Sequence, residues 1–104
     1  MQIKNYNPDR PGSAKENEFI FYIQNVGENS GRPLAKPIPN SWEVITERKA
    51  DFQILYIVFE SRILESFWRG SVITFLSLRD YKNIVLPILQ NAIHENRIIN
   101  EHYL

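Results

Sequence analysis

The sequence predicts an α+β domain in which a small three-stranded, mostly antiparallel sheet packs against two helices as a two-layer sandwich. Three observations carry this. Short runs of aromatic and β-branched residues bounded by polar ones mark strands, with Phe19–Ile23 the clearest. Two longer stretches, beyond Glu47 and beyond Asp80, place apolar residues at the i, i+3, i+4, i+7 spacing of amphipathic helices. The resulting order is strand, strand, helix, strand, helix, which is the pattern of helices covering one face of a sheet.

Residues 1–18 are Asn-, Pro-, Lys-, Glu- and Gly-rich with only Ile3 and Tyr6 as anchors, and so read as a flexible or draped N-terminal arm. Residues 19–99 form the single α+β domain. In the first strand Phe19, Phe21 and Ile23 share a face. Between Gly27 and Asn40, two glycines and three prolines forbid a regular helix, leaving an ordered loop or extended segment. Trp42–Thr46 is the second strand, with Trp42, Val44 and Thr46 on one side. Phe52, Leu55, Tyr56, Phe59, Ile63 and Phe67 then define one helix ending at Gly70, with a buried strand over 52–59 as the competing reading. Ser71–Leu78 carries β-branched and aromatic residues on both faces and reads as the central strand. Asp80 caps the last helix, whose stripe is Ile84, Val85, Ile88, Leu89, Ala92 and Ile93; Pro87 inside it implies a kink or a restart. Residues 100–104 form a tail expected to fray.

Composition narrows the chemistry. The 104 residues hold 12 Lys plus Arg against 12 Asp plus Glu, so no overall cationic excess drives phosphate binding. There is no cysteine, which excludes disulfides, thiolate metal sites and a cysteine nucleophile. The first residues lack the apolar core of an export signal and no apolar run reaches membrane-span length, so a cytoplasmic location without membrane partners is expected.

Tyr6-Asn7-Pro8, the aromatic strand, Asn29-Ser30-Gly31-Arg32-Pro33-Leu34, Pro37-Ile38-Pro39-Asn40 and Gly70-Ser71-Val72-Ile73 together resemble an uncharacterised family of small bacterial proteins of Bacteroides-type organisms. The resemblance spans nearly the whole chain and implies a bacterial, intracellular origin. That family has no assigned site, so it transfers no catalytic or binding residue.

The candidate interaction residues are therefore chosen on chemistry. Asn29, Ser30, Gly31 and Arg32 set two small hydrogen-bonding side chains and a guanidinium around a glycine, as an anion cradle does. The stretch lacks the Lys-Ser/Thr ending of a phosphate-binding loop and runs into prolines, so a positive φ at Gly31 in a structural turn outweighs the cradle. Trp42, Trp68 and Arg69 are the residue types favoured in protein interfaces, and Trp68 lies off the apolar stripe beside Arg69 and Gly70. Arg32, Arg48, Lys49 and Arg69 interleaved with aromatics would serve a nucleic-acid face if they converged, but acids are mixed through the same stretch. His94 and His102, the only histidines, do not share a metal-binding spacing, and no serine sits in a Gly-x-Ser-x-Gly elbow. The expectation is a non-enzymatic protein without cofactor, acting on an unidentified protein partner or as a homodimer through a sheet edge and the Trp42/Trp68 surface. A nucleic-acid-binding module is the alternative.

Overall fold

The computed structural model describes the backbone of residues 1–103 and the side chains of residues 1–93. Four strands form one antiparallel sheet in the order β1-β4-β2-β3: β1 (Gln2–Asn5), β2 (Phe19–Gln24), β3 (Pro33–Leu34) and β4 (Ser41–Thr46). Helices α1 (Asp51–Glu60) and α2 (Leu78–Tyr103) complete the α+β fold, with a 3-10 segment, Ile63–Phe67, between them. No helix among the described residues is long and apolar enough to cross a membrane.

The sheet has four strands where three were expected, and the difference lies in the arm. Gln2–Asn5 pairs with Ile45–Trp42 of β4, which places Ile3 opposite Val44 on the core face. β4 in turn pairs with β2 from Phe19↔Thr46 to Gln24↔Ser41. The predicted faces hold: Phe21, Ile23, Trp42, Val44 and Thr46 are buried, and all but Thr46 belong to the apolar cluster shared with Leu55, Val58, Leu64, Leu76, Tyr81, Val85 and Leu89. On the other face Lys4, Glu43 and Tyr22 lie side by side across β1, β4 and β2. The rest of the arm is draped over them. Tyr6 meets Tyr22 edge-on at 5.5 Å, and the Gly12 N–H donates to Glu43 Oε2 at 2.8 Å. A Cβ on Gly12 would run into the Glu43 carboxyl group, so glycine is what lets the chain cross there. Lys4 Nζ stands 3.7 Å from Glu43 Oε1, giving this buried carboxylate its counter-charge. Burial, then Glu43, then Tyr6 push the Tyr22 phenol above its ordinary range.

Three elements depart from expectation. Residues 52–59 are helical, but the helix stops at Glu60. Ser61 Oγ donates to the Val58 carbonyl at 2.6 Å, and Arg62 takes the left-handed conformation at φ 65°, ψ 11°, so the chain turns off the helix axis before Gly70. Ile63 and Phe67 consequently leave the apolar stripe and are exposed. Ser71–Leu78 is not the central strand; β1 occupies the free edge of β4, and 71–78 makes only isolated bridges through Phe75. At the start of α2 the cap is Ser77, whose Oγ accepts the Asp80 N–H at 3.1 Å, while Asp80 sits in the first turn and pairs with Arg69 at 3.0 Å. Helix α2 continues through Pro87 without a restart. The side chains of the 100–104 tail, and of His94 and His102, lie outside the described residues.

Candidate functional site

The nominated loop is a folded connection between β2 and β3. Gly27 and Gly31 both take positive φ, 96° and 101°, as the structural reading of Gly31 requires. The Gly27 carbonyl accepts from Ser30 N–H at 3.1 Å and from Ser30 Oγ at 2.6 Å. Gln24 and residues 31–32 close the hairpin: the Gln24 N–H donates to Arg32 O at 3.0 Å and the Gly31 N–H to Gln24 O at 2.7 Å. A Cβ on Gly31 would collide with Leu64 Cδ1, so the bare glycine seats the loop against the 3-10 segment.

A second connection hooks onto this one. Trp68 is half-buried, and its indole N–H donates to Ser30 O at 3.1 Å. Arg69 and Phe75 exchange backbone hydrogen bonds of 2.8 and 2.9 Å, closing a small hairpin whose turn begins at Gly70 with φ 101°. The Gly27 N–H donates to Thr74 O at 2.6 Å and the Leu76 N–H to Asn25 O at 2.9 Å. Two loops far apart in sequence thus form one hydrogen-bonded unit, and Arg69 ties it to α2 through Asp80.

The structure brings six of the seven nominated residues into this unit, with Gly31 in the structural turn that was expected of it. Asn29 is exposed, but the Ser30 hydroxyl turns inward to the backbone and Arg32 reaches Gln24 Oε1 at 3.3 Å, so the group does not open as an anion cradle. Trp68 is a strut rather than a free aromatic face. Trp42 stands apart: at 2% exposure it packs in the core against Tyr81, with ring centroids 5.1 Å apart, and offers nothing to a partner. Its place on the inner face of β4, beneath the helices, is the reason. Of the four cations that the nucleic-acid alternative would need, three are held by internal partners. Arg32 is held by Gln24, Arg48 by Asp51 at 3.1 Å and Arg69 by Asp80.

Sequence reasoning missed a run of exposed apolar residues, Val72, Ile73 and Phe75 on this unit and Ile63 and Phe67 on the 3-10 segment before it. Ile63, Phe67, Val72, Ile73 and Phe75 are 47, 40, 93, 63 and 40% exposed. Five large apolar side chains thus face solvent within one short stretch, which is more than scattered surface hydrophobics explain. The signal available was Gly70-Ser71 ahead of Val72-Ile73, and Thr74 and Ser77 after them, which punctuate an apolar run as a hairpin does. Among the described residues no group of three or more His, Asp or Glu side chains gathers as a metal site.

Compared with protein-family models, residues 3–104 match the family of unknown function DUF6943. Comparison with curated proteins and with solved structures finds no match.

Proposed function

The chain belongs to the family of unknown function DUF6943, and from its own geometry we propose that it is a non-catalytic, cytoplasmic interaction module that associates with a second copy of itself through the 63–75 surface. The observation that carries this reading is the exposed set Val72, Ile73 and Phe75 on a hydrogen-bonded hairpin, with exposed Ile63 and Phe67 on the 3-10 segment that precedes it. Covering these side chains removes apolar surface from water at about 25 cal/mol per Å². Because the Gly27–Thr74, Leu76–Asn25 and Trp68–Ser30 bonds hold the hairpin in place, association orders little that is not already ordered.

Charge favours a second copy over a strongly acidic or basic partner. The charged residues nearest in sequence are of both signs and paired with each other, Arg62 with Glu65 and Arg69 with Asp80. A patch of mixed sign is complementary to itself across a twofold axis, where each residue meets its counterpart's neighbours. The engagement of Arg32, Arg48 and Arg69 within the chain weighs against the nucleic-acid reading.

Light scattering over a concentration series tests the proposal. The wild-type chain is expected to reach dimer mass, and Ile73→Asp to remain monomeric with an unchanged circular dichroism spectrum. A wild type that stays monomeric at every concentration, or an Ile73→Asp variant that dimerises as well, overturns it.

A further inference from the structure

A groove lies where the start of β2 faces the beginning of α1. β3 stops at Leu34 and pairs only with Tyr22 and Ile23, so the start of β2 has no strand on its outer edge. The groove left there measures about 410 Å³, and Phe19, Phe21, Phe52, Arg48 and Lys49 are among the residues that line it. We propose that this groove binds a small amphiphilic carboxylate, with its apolar body against Phe19, Phe21 and Phe52 and its carboxylate at Lys49.

The walls select an apolar body. Phe19 is exposed although its partners on that strand face, Phe21 and Ile23, are buried. Phe52 stands edge-on to Phe21 at 5.3 Å, which fixes one wall of the groove. A cleft of this volume, mostly aromatic with a few polar groups at one side, falls within the range of small-molecule sites, about 300–1,000 Å³.

The charged groups select the head. Both charged residues on the lining are cations, and they come from the same turn, between β4 and α1. That turn is rigid. Buried Asp51 accepts the Thr46 hydroxyl at 2.6 Å and Arg48 Nε at 3.1 Å, the Thr46 oxygen accepts the Arg48 N–H at 3.2 Å, and the Asp51 N–H donates to Arg48 O at 3.2 Å. Lys49 has no carboxylate within 4.0 Å among the described residues. An ammonium left without a counter-charge at the mouth of an aromatic cleft attracts a carboxylate that the cleft's apolar contacts hold in place.

The test is titration of the ¹⁵N-labelled chain with decanoate and, in parallel, with decanol, followed by amide shifts. Decanoate is expected to move the amides of residues 19–21, 35 and 48–53, with decanol binding about tenfold more weakly for want of the charge-assisted contact. Lys49→Glu should weaken decanoate about tenfold and leave decanol unchanged, while Phe19→Ser weakens both. The same spectra report whether each variant is folded. Shifts confined to 63–75, equal binding of decanoate and decanol, or a Lys49→Glu variant that binds decanoate as the wild type does overturn the proposal. None of these outcomes touches the self-association reading, which rests on other residues.

Discussion

Two residues show how little of a side chain decides the local structure. At Gly31 the backbone lies at φ 101° and the missing Cβ leaves room for Leu64. Gly31→Ala is therefore expected to destabilise the fold by about 1–3 kcal/mol, seen as a lower melting temperature; an unchanged melting curve would show that the loop has another way to sit. Tyr81 presents the reverse case. It is fully buried against Trp42, and its hydroxyl has no hydrogen-bond partner among the described residues. Burial raises its pKa well above the ordinary phenol value, because the phenolate cannot be solvated there. The unfolded chain ionises this group near pH 10, so its contribution to stability is complete below that pH and is lost as pH rises beyond it. Tyr81→Phe removes both the unsatisfied hydroxyl and this alkaline loss. It should match or exceed the wild type at pH 7 and lose less stability above pH 10, as measured by urea unfolding across pH; a loss of more than about 1 kcal/mol at pH 7 would mean the hydroxyl is bonded.

At the scale of elements, the departures from sequence expectation share a cause in chain punctuation. The apolar periodicity of 52–67 is real, yet the chain leaves the helix at Ser61 and Arg62, where a hydroxyl takes a helix carbonyl and a non-glycine residue adopts φ 65°. Arg62 is highly exposed and its pairing with Glu65 at 4.0 Å is a surface contact of little weight. Arg62→Gly is thus expected to stabilise the chain by about 1 kcal/mol in denaturant titration, by relieving the left-handed backbone; destabilisation would show that the side chain matters more than its φ. The Ser71–Leu78 run fails as a strand for a different reason. Its composition suits a sheet, but the edge of β4 is taken by β1 and the end of β2 by β3, and Gly70 folds the run into a hairpin instead. Strand propensity says that a segment fits a sheet and not that a place in one exists.

For the whole molecule, local patterning along the chain is enough to set the class and most of the inner faces. Alternation in Phe19–Ile23 and Trp42–Thr46 and the helical spacing of Leu55, Val85 and Leu89 are local properties, and they name the core because a period-2 or period-3.6 stripe has one side to bury. The positive φ of Gly31 was legible for the same reason. Which segment completes the sheet was decided only in three dimensions: Ile3 finds Val44, 41 positions along the chain, and Ile3 reads in the sequence as an anchor of the arm but not as part of a strand. The candidate site was likewise half legible. Asn29, Ser30, Gly31, Arg32, Trp68 and Arg69 do converge, but Trp68 became a strut and Trp42 a core residue, while Val72 and Ile73 came to the surface. Exposure is a property of what remains uncovered once every other element has packed, so an aliphatic pair at a hairpin tip and one in a central strand look alike until the tertiary structure assigns the sheet's edges.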